Sequence, residues 1–153
     1  MAGEPVIRVA RRSDVAAIVG LLAEDFLGQT REDPSLPLRR EYLDAFDEMA
    51  KDANQTMVVM ELDGAVIGCL QITVIPGLTL MGARRGQIEG VHIASAHRGM
   101  GLGHGLLRWA IEECRRRGCG LVQLTANKAR RDAHRFYASL GFEATHEGFK
   151  RTL

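Results

Sequence analysis

A glycine-rich loop between an apolar strand and an amphipathic helix is the strongest chemical signal in this chain of 153 residues. Within it, Arg98, Gly101 and Gly103 have the spacing Arg-x-x-Gly-x-Gly. Glycine lacks a Cβ atom and tolerates positive φ, so the backbone of such a loop can approach a ligand closely. Its free N–H groups and the positive end of the following helix face one point, which suits a pyrophosphate. The alternative is a tight turn that binds nothing.

The residues around the loop exclude two familiar phosphate-binding motifs. A nucleotide P-loop requires Gly-Lys-Ser or Gly-Lys-Thr, which this segment lacks. The dinucleotide fingerprint requires glycine where His104 or Leu106 stands.

A second pattern lies near the end of the chain, where Ala133, Tyr137, Gly141 and Phe142 have the spacing Ala-x-x-x-Tyr-x-x-x-Gly-Phe. Tyr137 falls on the apolar face of a predicted helix, so a core residue with a hydrogen-bonded hydroxyl is its structural alternative. In this order the two patterns resemble the GNAT acetyltransferases, the Gcn5-related N-acetyltransferase superfamily. The resemblance covers roughly residues 87–142.

The resemblance implies a fold that separates two neighbouring strands, here residues 89–94 and 121–125, and places acetyl-coenzyme A in the gap. The implied coenzyme-binding residues are Val91, His92, Ile93, Arg98, Gly99, Met100, Gly101, Leu102, Gly103 and His104. Asn127 resembles the asparagine that contacts pantetheine. In the family, this asparagine lies seven residues before the tyrosine, a position that Arg130 occupies here. Asn127 lies three positions earlier. The alternative for Asn127 is a loop residue that caps a helix start. No metal is expected.

The same resemblance assigns Tyr137 as the proton donor to the departing coenzyme A thiolate and Glu89 as the base for the acceptor amine. Glu89 lies four residues before Ile93, where many relatives carry glutamate. Strict alternation places Glu89 on the strand face of Val91 and Ile93, with His92 pointing away, so His92 is interpreted as structural. The alternative for Glu89 is a strand-end carboxylate paired with Arg84 or Arg85.

Composition narrows the possible partners. A net charge of +1 and an aromatic content of 5% argue against nucleic-acid binding. A basic patch is either a solvated face or a contact for the 3′-phosphate of coenzyme A; it contains Lys128, Arg130, Arg131 and Arg135.

Three cysteines without Cys-x-x-Cys spacing indicate a reducing cytoplasm. Residues 64–83 are uncharged, but Gln71, Pro76 and Gly77 favour two strands around a turn, so no membrane segment is predicted.

Hydrophobic periodicity predicts the order βααβββαβαβ and therefore a single α/β domain over residues 1–153. A mixed sheet of about six to seven strands is expected, flanked by about four helices. Residues 142–153 are assigned to one or two of these strands. Ser13 is the predicted N-cap of the first helix, whose apolar stripe extends to Phe26.

The predicted function is transfer of the acetyl group of acetyl-CoA to a primary amine, by direct attack in a ternary complex. The acceptor is expected to be a small molecule, held mainly by residues 27–42 and attracted by Glu24, Asp25, Glu32 and Asp33. The alternatives are acetylation of a protein lysine or N-terminus, and a non-catalytic acyl-CoA-binding regulatory module. A homodimer is common among proteins that resemble this chain.

Overall fold

One mixed sheet of five strands forms the centre of the structure, a computed structural model that describes residues 3–153. The strands are neighbours in chain order: β1 (Val6–Val9), β2 (Gln55–Leu62), β3 (Ala65–Ile75), β4 (Arg84–Ile93) and β5 (Cys119–Leu124). The first four strands are antiparallel, and β5 runs parallel to β4. The helices are α1 (Val15–Ala23), α2 (Arg40–Ala50), the four-residue α3 (Thr79–Gly82), α4 (Leu102–Arg116) and α5 (Arg131–Ser139).

The helices cover the sheet from both sides, and each side has its own core. On the first side, here the α1 face, α1 packs against β3 and β4, and α2 packs against β2. The core of this face contains Ala10, Ile18, Leu21, Val59 and Cys69. On the second side, the α4 face, the core contains Val58, Met60, Ile67, Leu70, Ile72, Ile88, Leu106, Leu107, Ala110 and Cys114. Phe136, Tyr137 and Leu140 of α5 pack against the core of the α4 face.

A charged network joins β1, β2 and the start of α1. The Arg8 guanidinium donates to the Asp14 carboxylate at 2.8 Å and to the Glu61 carboxylate at 2.7 Å. The Asp14 carboxylate also accepts from the Arg11 backbone N–H at 2.7 Å. The hydrogen bonds from Arg8 hold the pKa of Asp14 below its ordinary value. Asp14, rather than the predicted Ser13, occupies the N-cap position of α1, and its side chain makes no capping hydrogen bond to this helix.

The α/β class, the mixed sheet and the hairpin turn are confirmed. At the turn between β2 and β3, Asp63 has φ 49° and Gly64 has φ 80°, as in tight hairpins of this sequence. The apolar stripe of α1 ends earlier than predicted, because the helix ends at Ala23 and Phe26 is 82% exposed.

The predicted strand count is wrong at the C-terminus. Residues 142–153 form no strand, although this segment passes close to the end of β5. Lys128 lies 3.7 Å from Glu147, and a Cβ atom on Gly148 would be 3.9 Å from Thr125. Phe149 and Leu153 are 92% and 112% exposed, so the apolar residues of this segment bury little area that would favour pairing.

Within residues 3–153, no helix combines the length and the apolar character that crossing a bilayer requires.

The close approach of α4 to β4 depends on Gly86. A Cβ atom at this position would lie 2.5 Å from Cys114 Sγ and 3.1 Å from Cys114 Cβ. We expect Gly86→Ala to lower the free energy of unfolding by about 1–3 kcal/mol, because it overpacks this contact. Urea denaturation measures the change. Cys114→Ala in the same molecule is expected to recover part of the loss, and additive effects of the two substitutions would contradict this account.

Candidate active site

The central feature of the site is a gap between β4 and β5. The two strands pair from Arg84 and Cys119 to Ile88 and Leu124. Beyond that pair β5 ends, whereas β4 continues alone to Ile93. Backbone groups of residues 89–93 that face the missing neighbour are therefore free of partners from β5. A ligand with amide groups can pair with such an edge in the manner of an added strand.

Two side chains fix the end of β4 where it enters the glycine loop. Arg98 Nε donates to the Ile93 carbonyl at 3.0 Å, and His92 Nδ1 lies 2.6 Å from the Val91 carbonyl. Glu24, just after α1, accepts from the Ser95 N–H at 2.9 Å and lies 3.9 Å from Arg98 Nη2. The carbonyls of Val91 and Ile93 thus have partners, and Arg98 serves to hold the loop against the strand.

The glycine loop presents a set of unused backbone donors. Gly99 and Gly101 have φ of 76° and 77°, values that side-chain-bearing residues rarely adopt. Gly101 is the N-cap of α4, a helix of 15 residues. In the described part of the chain, no backbone N–H from residue 99 to residue 104 donates a hydrogen bond to the protein. These donors and the helix dipole together favour a bound anion.

Gly103 and His104 connect the loop to α5. A Cβ atom on Gly103 would lie 3.3 Å from the Phe136 ring, so glycine here permits α5 to pack on the first turn of α4. His104 Nε2 lies 3.0 Å from Ser139 Oγ, and its ring contacts Phe136 edge-on with centroids 4.8 Å apart. The His104 side chain is therefore engaged with α5, and only its backbone N–H faces the loop.

A basic cleft of about 840 Å³, open to solvent, lies beside the loop. Its lining consists of Arg98, Ala129, Arg130, Arg131, Asp132 and Ala133. The basic patch predicted from the sequence is partly neutralised: Lys128 faces Glu147, Arg130 lies 3.5 Å from Asp25, and Arg135 pairs with Asp132. In residues 3–153, no three His, Cys, Asp or Glu side chains are grouped as a metal site.

Asn127 closes a turn between β5 and α5. Its Oδ1 atom accepts from the Ala129 N–H at 2.9 Å, and its carbonyl accepts from the Arg130 N–H at 2.9 Å. This geometry is that of an Asx turn, and the N-cap position of α5 belongs to Arg130 instead. The Asn127 carboxamide nitrogen remains available to a ligand.

Tyr137 lies on the α4 face, half-buried beside two other aromatic rings. Its ring contacts Phe136 and Phe142 edge-on, with centroids 5.3 and 5.9 Å away. No described residue forms a hydrogen bond with its hydroxyl. Burial raises the pKa of Tyr137, and the charge of Arg130 offsets part of this increase. The phenol therefore stays protonated over a wider pH range than a solvent-exposed tyrosine.

A β-bulge reverses the predicted faces of β4. Gln71 pairs with Glu89 but Cys69 pairs with His92, so β4 has one extra residue between these pairs. Gly90, with φ 60°, lies in this interval. Ile88, Val91 and Ile93 accordingly all pack on the α4 face.

Glu89 and His92 therefore share the α1 face, and the prediction that Glu89 shares a face with Val91 and Ile93 is wrong. Strict alternation fails because a bulge shifts the side-chain period by one residue. Glu89 is exposed, and neither Arg84 nor Arg85 forms an ion pair with it among the described residues. Burial lowers the pKa of His92, which favours its neutral form.

A row of polar side chains on the α1 face was not predicted from the sequence. Gln55, Thr73, Gln87 and Gln123 occupy directly opposite positions on four successive strands. All four are half-buried. The available signal was a polar residue inside each apolar strand, but the strand register was needed to align them.

Comparisons with known proteins agree with this architecture. A model of the acetyltransferase (GNAT) family matches residues 17–142. A solved structure described as a transcriptional regulator from Bacillus halodurans C-125 is 45% identical, with a TM-score of 0.95, and the match covers 98% of this chain and 100% of that one. A Trypanosoma brucei acetyltransferase is 27% identical, with a TM-score of 0.80, over 98% of this chain and 100% of that one.

The chain also resembles a characterised enzyme over part of its length. An aminoalkylphosphonate N-acetyltransferase from Salmonella typhimurium is 41% identical over 68 residues. This match spans 44% of each chain, so it covers under half of the enzyme's length. The family match covers most of the present chain, including both motifs and the strand gap. The chain belongs to the acetyltransferase (GNAT) family.

Proposed function

We propose that this protein transfers the acetyl group of acetyl-CoA to the primary amine of a small acceptor. The observation that carries the proposal is the gap beyond Ile88 and Leu124, which opens beside the unused N–H groups of residues 99–104. A long ligand with a pyrophosphate and an amide-containing arm fits both features at once. The family membership supports the same ligand.

The residues present fit acetyl-CoA. The N–H groups from Gly99 to His104 would bind the pyrophosphate. The backbone of residues 91–93 would bind the pantetheine amides through its N–H groups, because the Val91 and Ile93 carbonyls already have side-chain partners. The charged side chains of the basic cleft would face the 3′-phosphate. When bound, acetyl-CoA supplies an activated thioester carbonyl.

The two candidate catalytic groups lie on opposite faces of the sheet. Glu89 lies on the α1 face, where it would accept the proton that the acceptor amine loses. Tyr137 lies on the α4 face, where its phenol would protonate the departing thiolate. In the transfer, the amine nitrogen bonds to the carbonyl carbon and the carbon–sulfur bond breaks. The bulge at Gly90 turns Glu89 away from the Tyr137 side.

Direct transfer to the amine is favoured over an acyl-cysteine intermediate. Cys69, which is opposite His92 on β3, is fully buried, and burial raises the pKa of its thiol to about 12. Burial also raises the pKa of Cys114 to about 11. Because the thiolate is the nucleophilic form, both groups are unreactive at neutral pH.

A small amine is the favoured acceptor because the partial relative from Salmonella typhimurium is an aminoalkylphosphonate N-acetyltransferase. The structure described as a transcriptional regulator favours a second candidate, a module that binds acyl-CoA without turnover. Thiol release in the presence of acetyl-CoA and a panel of small amines separates the two. Release that depends on the amine supports the enzyme. Binding of acetyl-CoA without release, across amines and peptides, supports the regulatory module.

The first prediction concerns the glycine loop. Gly101→Val places a β-branched side chain at φ 77°, beside the donors proposed for the pyrophosphate. At saturating acetyl-CoA, we expect the wild-type melting temperature to rise by about 5–10 °C. We expect Gly101→Val to lose this shift. Gly105→Ala is the matched control, since Gly105 lies in α4, the helix that Gly101 caps, and has open space around it. An unchanged shift in folded Gly101→Val protein would show that the loop does not bind the coenzyme.

The second prediction concerns the proton donor. Tyr137→Phe keeps the ring contacts with Phe136 and Phe142 and removes the hydroxyl. We expect kcat to fall by about 100-fold with little change in acetyl-CoA affinity, because the hydroxyl acts mainly in the transition state. Burial raises the pKa of Tyr137. We therefore expect the wild-type rate not to fall with rising pH until the pH exceeds the ordinary pKa of tyrosine. Wild-type turnover of Tyr137→Phe across pH would return Tyr137 to a purely structural role.

The third prediction concerns the base. We expect Glu89→Gln to bind acetyl-CoA normally but to turn over slowly at neutral pH, with much of the rate recovered at high pH. The reason is that free amine then forms without an enzymatic base. Glu112→Gln, an exposed carboxylate on α4, is the control. A small, pH-independent loss in Glu89→Gln would mean that Glu89 does not remove the proton.

A further inference from the structure

The polar row of Gln55, Thr73, Gln87 and Gln123 crosses β2 to β5 on the α1 face. The neighbouring residues Gly86 and Ile88 show which side of the sheet the row occupies, because both face the core of the α4 face, Gly86 towards Cys114. Gln87 lies between these two residues and therefore faces the other side. Because directly opposite side chains in a sheet have Cβ atoms about 4.5–5.5 Å apart, the row is continuous.

Hydrogen bonds within the row leave polar atoms unused. Gln123 Nε2 donates to Gln87 Oε1 at 2.7 Å, and Thr73 Oγ1 donates to Gln55 Oε1 at 2.8 Å. Within residues 3–153, the side-chain nitrogen of Gln87 and the side-chain oxygen of Gln123 form no hydrogen bond with the protein. At this end the row is open, because α4, the helix that packs on β5, lies on the opposite face. Free donor and acceptor atoms are thus available next to the gap.

Arg85 extends the polar row at the start of β4. It precedes Gln87 by two residues in a regular stretch of the ladder, so it occupies the same face as Gln87 and Glu89. Its side chain is half-buried, and its Nε atom is shielded from solvent without a hydrogen-bond partner. No described carboxylate forms an ion pair with it. A guanidinium in this condition favours a bound anion, and its planar fork matches carboxylate and phosphonate groups.

The charges on this face of β4 therefore have opposite signs at its two ends. Glu89 stands beside the gap, and Arg85 stands four residues earlier, which is about 13 Å along a strand. Both side chains are flexible and flank Gln87, so they can approach the two ends of a shorter molecule. An acceptor that matches this arrangement has an ammonium group at one end and an acidic group at the other.

We propose that Arg85, Gln87 and Gln123 bind an anionic group of the acceptor, a carboxylate or a phosphonate, while its amine faces Glu89. This inference rests on the proposed acetyl transfer and specifies its acceptor as a primary amine that also carries an acid. The Arg85 guanidinium would pair with the negative charge of the acceptor, and the Gln87 and Gln123 side chains would hydrogen-bond to the oxygens of its anionic group. Arg85 is thus a specificity-determining residue rather than part of the acetyl-CoA site.

Three acceptors of similar length test the proposal: 3-aminopropylphosphonate, 4-aminobutanoate and the uncharged 3-amino-1-propanol. We expect wild-type kcat/KM, measured by thiol release, to be at least about tenfold higher for one or both acids than for the alcohol. Arg85→Gln is expected to abolish this preference, because it lowers kcat/KM for the preferred acid at least about tenfold more than kcat/KM for the alcohol. Comparing the phosphonate with the carboxylate identifies which anion is preferred.

Arg84→Gln is the matched control, because Arg84 is the adjacent, exposed arginine and alternates to the other side of β4. It is expected to keep the wild-type preference. Equal loss for all three acceptors in Arg85→Gln, an unchanged preference, or a wild-type preference for the alcohol would each overturn the proposal.

Binding without turnover is measured with propylphosphonate and butanoate, which lack the amine. We expect one of them to raise the melting temperature of the acetyl-CoA complex of wild-type and Arg84→Gln protein, but not of Arg85→Gln. If this shift appears while no amine is acetylated, the anion site stands and the proposed enzymatic function fails. If acetylation of amines occurs without any shift or acid preference, the function stands and the anion site is wrong.

Discussion

The end of β4–β5 pairing at Ile88 and Leu124 is the constraint on which the rest of the site depends. Up to that point the two strands behave as ordinary parallel neighbours, and beyond it β4 continues without a partner. Unpaired backbone groups inside a fold carry a free-energy cost unless water or a ligand satisfies them. The gap is thus a preformed place for an extended molecule with amide groups. The glycine loop lies at its end because β4 leads directly into that loop.

Three contacts connect the glycine loop and the start of α5 to the elements around them. Glu24 and Asp25, just after α1, reach Arg98 and Arg130, which belong to the glycine loop and to the start of α5. On the other face, Phe136 packs against the first turn of α4 at Gly103. Because these ion pairs are partly exposed, each contributes little stability alone. Their main effect is to position the loop and α5 on either side of β4.

The single extra residue at the Gly90 bulge decides which side chains of β4 share a face. It places Glu89 and His92 on the α1 face while Val91 and Ile93 continue the core of the α4 face. The same face carries the polar row and Arg85. In the proposed function, the base and the proton donor would therefore act from different faces of the sheet and would not compete for the same space.

Features that depend on local chemistry could be predicted from the order of residues alone. Glycine at residues 99, 101 and 103 permits positive φ and close packing, so a loop could be predicted there. The apolar stripe from Leu106 to Cys114 likewise predicts a buried helix face. The order of strands and helices likewise follows from periodicity, which depends on residues close in the chain. These properties predicted the fold class and the family. They did not predict that residues 142–153 stay unpaired, because pairing depends on area buried against a distant strand.

Which distant residues share one face of the sheet depends on strand pairing, and the sequence did not predict it. The bulge at Gly90 reverses the alternation on which the prediction for Glu89 depended, and a bulge is set by pairing with β3 rather than by its own sequence. The polar row likewise exists only through the register of four strands, which brings Gln55 and Gln123 onto one line. The proposal for Arg85 also depends on the tertiary structure, because only the fold shows that no described carboxylate lies beside its guanidinium.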